Sequence, residues 1–474
     1  MLNSFSRLTT RMTNIEQLKS LRALGKLEQV SASCHHLGFF NNVGLSAHYK
    51  LPTASSVAVS DIPNLVYTAA AAVISKHRIL FAVPVDEATP NAYFASLPSI
   101  DINRSVKFIT RSKPLNSLDE GEDKELDAIL EDQHNTDFKA DYGSLPFWRL
   151  IILRNSKIDV DFTAIFIYHH AIGDGVSGLV FHRAFYNELE ALSSSSSSGF
   201  QSGKGVVFHE NTQVLPALEE LHPLPINPKP PIHSSANSNE WTGSSIRYPC
   251  KSRWMSLHLP SSTSKLFFGK CRENEVSVAS VISSIIATAL FSILPPTVEV
   301  LTCIIPVNLR PWLRLSGESA NAAIGTYFDA TRVRFTRANQ DSQAPTSTHN
   351  IWIGAQQASK GIRCYLEDVS PSGEPYTSVS VLQTIPDVSS IFSSMVGKTR
   401  DAAFEVTNVG VFSAVGKVLL SRSSLATGAA MTASVATGGD GSMTVGFSWQ
   451  DGVLDDDFVE RFKQEIRKNF EELE

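Results

Sequence analysis

A run rich in β-branched and aromatic residues, Ile158 to Tyr168, ends on two histidines, a glycine-bounded corner and a helical repeat. That order of patterns commits the middle of the first half of the chain to a strand, a sharp turn and a helix. Only Asp159 and Asp161 are charged within the run. Side chains alternate faces along a strand, so if pairing persists to its end His170 shares a face with Ala164, Phe166 and Tyr168, and His169 with Thr163, Ile165 and Ile167. Gly173 and Gly175 tolerate backbone angles that other residues resist, which lets the chain turn tightly between them. Beyond the turn Phe181, Phe185, Leu189 and Leu192 recur at helical spacing. One imidazole can therefore face a cavity while its neighbour packs elsewhere, with the carboxylate of Asp174 four positions on.

Several readings compete for this corner. The plain structural one is a histidine pair satisfied in the core, with Asp174 capping the following helix. A metal centre needs at least three ligands, and neither HExxH nor CxxC spacing lies nearby, so no metal is expected. A nucleophile elbow of the GxSxG type fails because Ser177 is followed by Gly178 and Leu179. What remains is general-base catalysis, in which a histidine with a pKa near neutrality takes a proton from an attacking hydroxyl.

The string His169-His170-Ala171-Ile172-Gly173-Asp174-Gly175 resembles the HHxxxDG signature of the CoA-dependent acyltransferase superfamily. That group includes chloramphenicol acetyltransferase, the plant BAHD enzymes, peptide-synthetase condensation domains and fungal alcohol acetyltransferases. Arg22 to Glu28 and His35 to Val43 resemble the opening of the yeast and fungal alcohol acetyltransferases, and Pro146 to Leu150 resembles their strand ahead of the active-site hairpin. Pro306 to Arg310 is similar to the strand whose arginine pairs with the motif aspartate in BAHD enzymes. These segments occur in the family's order across most of the chain. The BAHD string DFGWG is absent, and Val406 to Val411 stands in its place, which favours the alcohol acetyltransferase branch.

The resemblance implies an α/β (α+β) fold of two chloramphenicol-acetyltransferase-like domains, each a mixed β-sheet flanked by helices, with the active site in a tunnel at their interface. It implies transfer of an acyl group, by default acetyl, from acyl-CoA to a hydroxyl of a small alcohol or a fungal secondary metabolite such as a terpenoid. Acetyl-CoA would be a co-substrate, with no permanently bound cofactor. His170 would be the base. Asp174 would turn away from substrate and pair with Arg310, while His169 and Gly175 support the site. Thr407 and Asn408 are candidate oxyanion or substrate contacts, against the alternative of an ordinary strand end. His36 is a candidate substrate contact, with a structural role as its alternative. Lys265, Lys270 and Arg272 are candidates for the CoA phosphates by location alone. Two other functions stay open: a non-catalytic relative that binds a ligand in a retained tunnel, and a stand-alone condensation-type domain.

At 474 residues the chain exceeds the usual single core. A Ser-, Pro- and Asn-rich stretch divides it, giving an N-terminal domain over 1–195, a crossover linker over 196–245 and a C-terminal domain over 246–474. A net charge of −6 without a long basic cluster argues against nucleic acid as a partner. The five cysteines are widely spaced and odd in number, which fits free thiols in a reducing, cytoplasmic setting. Met1 to Met12 lacks the apolar core of a secretory signal and leads into a helix around Ile15, Leu18 and Leu21. Arg78 to Val85 reads as a strand, as do Ser378 to Val381, Phe404 to Phe412 and Ser442 to Trp449. Val276 to Thr297 carries no charge, but Ser277, Ser280, Ser284 and Thr288 form a polar stripe and Pro295-Pro296 ends it, so it reads as a buried helix rather than a membrane span. The chain closes on an amphipathic helix bearing Phe458, Phe462, Ile466 and Phe470. Packing on the second domain is the expectation for that stripe, with docking on a lipid surface as the alternative. A monomer is expected.

Overall fold

The computed structural model describes residues 15–51, 58–113, 122–154, 160–194, 205–209, 213–228, 239–337 and 347–473. Two larger sheets organise them, each covered by helices. The first has five strands in the order Val418–Arg422, Val43–Tyr49, Phe162–Tyr168, Trp148–Arg154 and Val106–Thr110. The motif strand Phe162–Tyr168 lies at its centre and is buried at every position, as an apolar run without alternation requires. It pairs antiparallel with Trp148–Arg154 in the expected hairpin, Trp148 opposite Tyr168 and Arg154 opposite Phe162. Helices Ile62–Lys76 and Gly175–Ser194 pack together over this sheet and bury Phe181, Phe185 and Leu189.

The second sheet has six strands in the order Ser252–Leu259, Met443–Gln450, Met431–Thr437, Phe404–Val411, Val300–Asn308 and Phe328–Thr336. The uncharged segment forms the buried helix Val278–Ile293 against it, capped by the Ser277 hydroxyl, which accepts from the Ser280 amide at 3.1 Å. Its polar stripe is used internally: Ser284 donates to the Ile351 carbonyl on the neighbouring helix Ser347–Glu367 at 2.7 Å. Among the described residues no single helix is long and apolar enough to cross a membrane. The terminal helix Asp456–Glu471 buries Phe458, Phe462, Ile466 and Phe470 in the second core. Its apolar stripe is thus occupied by protein, and lipid docking through that face has no free surface to use.

The structure departs from the sequence reading of secondary structure in three places. Ile15–Gln17 is a single 3-10 turn and Lys19–Ala23 is a strand, because Lys19–Ala23 pairs with Tyr93–Ser96 and that ladder outweighs the weak helical spacing of Leu18 and Leu21. Arg78–Phe81 is a 3-10 turn, and only Ala82–Val85 is a strand. Val379–Thr384 is also a 3-10 turn, since the amides of Ser378 and Val379 donate to buried Asp329 at 2.9 and 3.1 Å instead of to a neighbouring strand. One strand also crosses the proposed boundary at 196–245. Strand Val418–Arg422, from the C-terminal half, joins the first sheet antiparallel to Val43–Tyr49, Val418 opposite Ala47 and Arg422 opposite Val43. It covers an edge that would otherwise be open. Residues 196–204, 210–212 and 229–238 of the crossover lie outside the described residues, but Val206–Val207 pairs with Ile100–Asp101 and helix Leu218–Leu221 buries both its leucines.

Phe462 is 1 % exposed and meets the Phe447 ring edge-on at 5.4 Å. Phe462→Ala is expected to cost about 3–5 kcal/mol, read as a lowered urea midpoint. An unchanged midpoint accompanied by lost vesicle binding would place this face on lipid instead.

Candidate active site

The motif strand's ladder ends at Tyr168, and the His169 amide continues the hairpin with one bond to the Phe147 carbonyl at 2.9 Å. The chain then turns into helix Gly175–Ser194. Neither Gly173 nor Gly175 adopts a positive φ, so torsional freedom is not what the turn requires. Space is. A Cβ on Gly173 would lie 2.8 Å from Cβ of Ser177, and one on Gly175 would lie 3.0 Å from Cγ1 of Val409 on the second sheet. The glycines permit close approach, which corrects the expectation drawn from their backbone tolerance.

His170 is half-buried, its ring 5.5 Å from both Phe40 and Phe328, with Phe328 nearly parallel to it. Its Nδ1 lies 3.0 Å from the Gly173 carbonyl oxygen. A carbonyl can only accept, so Nδ1 carries the hydrogen and Nε2 keeps its lone pair. Burial, reinforced by the charge of Arg422, holds the imidazole pKa below its ordinary 6.5. His170 is therefore a neutral base at pH 7, with one nitrogen anchored and the other free.

His169 points the other way, 1 % exposed. The Ala171 amide donates to its Nδ1 at 3.0 Å, so its Nε2 hydrogen faces Glu87 Oε1 at 3.5 Å. His35 repeats the arrangement: the Phe138 amide donates to its Nε2 at 3.1 Å, and its Nδ1 lies 3.0 Å from Glu87 Oε1. Burial alone would raise the Glu87 pKa, but hydrogen bonds from His169 and His35 override it and hold the carboxyl at about 2, while burial pushes His169 down to about 4. The ligand atoms of His35, Glu87 and His169 lie within 4.8 Å of one another, close enough for a metal ion. The chemistry does not fit. A metal on His35 Nδ1 would require a hydrogen on Nε2, where the Phe138 amide hydrogen already points.

Asp174 borders the cavity, but its carboxylate is engaged by Arg310. Arg310 Nη1 and Nη2 reach its two oxygens at 2.8 and 3.0 Å, with side-chain exposures of 1 % for Arg310 and 6 % for Asp174. The Tyr327 amide donates to Oδ2 and the Ser177 amide to Oδ1, each at 3.0 Å. Capping and ion pairing are thus both true of this carboxylate. Burial alone would raise its pKa, and the Arg310 charge with these donors reverses that and lowers it. Tyr168 donates its phenol hydrogen to the Asp174 carbonyl at 2.6 Å, tying the strand to the turn.

The cavity beside His170 has a volume of about 410 Å³ and is walled by Leu27, Val30, Val43, Val176, Phe392 and Leu425. Thr407, Asn408, Glu405 and Arg422 bring polar groups to it. Thr407 donates its hydroxyl to Glu405 Oε1 at 3.1 Å. Asn408 accepts the Gly410 amide on its Oδ1 at 2.9 Å, which orients its side-chain NH₂. Arg422 pairs with Glu405 and lies over the Phe40 ring, 5.2 Å from its centroid.

His36 is not brought to this cavity. It is exposed at the end of helix Lys26–His36, and its carbonyl accepts from Lys139. A helix turns about 100° per residue, so with His35 packed inward its neighbour faces out. Lys265, Lys270 and Arg272 do not line the cavity either, and Lys270 pairs with Glu273. Sequence reasoning missed Glu87, Phe328, Glu405 and Arg422, which topology alone assembles. Phe40 and His35 lay inside a quoted segment, and the outward histidine was chosen over the inward one.

The sequence profile described as AATase, alcohol acetyltransferase, matches residues 23–235. A probable alcohol acetyltransferase of Aspergillus fumigatus, crmB, is 59 % identical over 460 residues, covering 95 % of this chain and 99 % of that protein. Among solved structures, the trichothecene 15-O-acetyltransferase TRI3 from Fusarium sporotrichioides superposes with a TM-score of 0.70 at 13 % identity, covering 95 % of each chain. The starter condensation domain of rhizomide synthetase RzmA, in complex with C8-CoA, superposes at 0.56 and 13 % identity, covering 96 % of this chain and 95 % of that one. Both structural likenesses place the fold among two-lobed acyltransferases of the chloramphenicol-acetyltransferase and condensation-domain type. On the strength of its identity to the Aspergillus protein along nearly its whole length, the chain belongs to the alcohol acetyltransferase family.

Proposed function

We propose that this chain is an O-acetyltransferase that moves an acetyl group from acetyl-CoA to the hydroxyl of a small alcohol or fungal secondary metabolite, with His170 as general base. The observation that carries the reading is the neutral His170 ring, anchored through Nδ1 on the Gly173 carbonyl and leaving Nε2 free beside an apolar cavity. The naming of the Aspergillus relative as an alcohol acetyltransferase supports it, as does a trichothecene acetyltransferase of the same fold. A CoA thioester on a condensation domain of that fold supports acyl-CoA as donor.

The steps follow from the geometry. The alcohol proton passes to His170 Nε2 as its oxygen attacks the thioester carbonyl carbon. The tetrahedral adduct expels the CoA sulfur, and the proton held on Nε2 goes to that sulfur as the ester leaves. No acyl-enzyme is needed. Asp174 and Arg310 hold the turn that carries His170 and take no proton. Thr407 has given its hydroxyl hydrogen to Glu405, which leaves the Asn408 side-chain NH₂ as the better oxyanion donor. We place the protein in the cytoplasm as a monomer without a resident cofactor. Its five free cysteines, three of them buried, support a reducing setting.

Thiol release from acetyl-CoA in the presence of acceptor should fall about 10²–10⁴-fold in His170→Ala. Release that persists unchanged in the variant removes His170 as base. The pH profile follows from the lowered pKa of His170. The base form dominates above that pKa, so kcat/KM should fall to half its plateau only below pH 6.5. A half-maximal point above pH 6.5 contradicts the assignment. Asp174→Asn leaves Arg310 buried and unpaired, which should cost about 3–5 kcal/mol in denaturant unfolding and lower kcat in the fraction that folds.

A further inference from the structure

The cavity contains a charged pair that the acyl-transfer steps do not use. Arg422 and Glu405 are 12 % and 11 % exposed, and both line the cavity. Arg422 ends the strand donated to the first sheet, while Glu405 belongs to Phe404–Val411 of the second, so the pair bridges the two sheets. The register sets Arg422 opposite Val43, and Val43 opposite Tyr168, in one row across three strands. Directly opposed residues share a face of an antiparallel sheet, so the guanidinium rises on the Tyr168 side, two strand spacings or about 10 Å from the end of the motif strand. Both Arg422 and His170 pack against the ring of Phe40.

Glu405 balances the charge of Arg422 through Nη1, which makes the guanidinium a poor electrophile for a developing oxyanion. Its hydrogen-bond donors persist. Nε is sealed off, but Nη2 has no hydrogen-bond partner among the described residues and is not fully buried, so it is the donor that can meet a ligand in the cavity. A donor left unmet in an apolar enclosure is a cost that a ligand oxygen removes, and a site built around such a donor discriminates against ligands lacking that oxygen.

We propose that Arg422, held by Glu405, selects the acceptor by donating to an oxygen that the acceptor carries besides the hydroxyl that reacts. The favoured acceptor is then an apolar alcohol bearing a carbonyl or ether oxygen about 10 Å or less from the reacting hydroxyl. This deepens the acetyl-transfer reading and rests on it, since it needs the acceptor to occupy the cavity beside His170.

The test is calorimetric binding of two matched probes, decahydro-2-naphthol and its analogue with a ketone on the second ring, to the full chain. Arg422→Met leaves Glu405 without its ion-pair partner, so Arg422→Met combined with Glu405→Gln accompanies it, both checked by circular dichroism. Wild type should bind the keto alcohol about tenfold or more tighter, as a hydrogen bond to a charged group gives. In the double variant that advantage should shrink to about twofold or less, with CoA affinity retained. Equal affinity of wild type for the two probes, binding of neither, a preference that survives the double substitution, or a loss of CoA affinity each overturns the proposal. The two readings fail separately. A wild type that prefers the keto alcohol but releases no thiol with any acceptor sinks acetyl transfer and keeps the selection. A wild type that acetylates alcohols without preferring the keto probe sinks only the selection.

Discussion

The Asp174–Arg310 pair is the contact on which the site depends. Asp174 stands where the first sheet's central strand gives way to its helix, and Arg310 follows the strand Val300–Asn308 of the second sheet. Removing two charges from water is expensive, and such a pair persists only when the remaining donors and acceptors are met. Here all but Arg310 Nε are met, and from both sheets: the amides of Ser177 and Tyr327 reach the carboxylate, and the carbonyls of Ala323 and Gly325 receive the guanidinium. The pair therefore sets the backbone of the turn, including the Gly173 carbonyl one residue earlier. That carbonyl decides which His170 nitrogen carries the hydrogen. The His170 tautomer is thus fixed through an ion pair that does not itself bond the ring.

Glu87 plays the corresponding part behind the turn. It collects the N–H groups of His35 and His169, and both rings take a backbone amide on their other nitrogen. Most of the polar capacity of that cluster is spent on the fold, with His169 Nε2 left in a longer, 3.5 Å contact to Glu87. Of the histidines in the motif, only His170 retains a nitrogen directed at the cavity. The two side chains leave the strand's end in opposite directions, so one dipeptide supplies an imidazole packed into the fold and another with a free nitrogen, without a change of residue type.

Much of this was legible in the sequence because it is local. The apolar run, the paired histidines and the helical repeat fix strand, corner and helix within one stretch, and the expected pairing of Asp174 with Arg310 is met by the bidentate geometry. The four-residue offset could not say whether Asp174 caps the helix or pairs, and the structure shows both. The glycines were misread in mechanism: a sequence reveals that a position lacks a Cβ, not whether torsion or a neighbour such as Val409 forbids one. His36 was chosen over His35 because a dipeptide gives no phase for a helix whose buried face is unknown. Glu87, Phe328, Glu405 and Arg422 carry no local signal, because strand order alone brings them to the motif. The donated strand Val418–Arg422 is the extreme case, pairing with residues 43–47 from the far end of the chain.

That donated strand also bears on why a cavity exists. Apolar walls such as Leu27, Val43 and Val176 would gain by closing on one another, since burial is rewarded wherever water is expelled. Two buried ion pairs join the sheets: Asp174 with Arg310, and Arg422 with Glu405. Ion pairs are directional and have fixed lengths, unlike apolar contacts, so they fix the separation of the sheets rather than merely favouring contact. Collapse of the cavity would shear both pairs and strand buried charge, at several kcal/mol for each broken pair. The crossing of Val418–Arg422 into the first sheet is what lets the second pair form, because it carries Arg422 to the face that Glu405 meets. The topology that hid this residue from the sequence is therefore the feature that holds the cavity open.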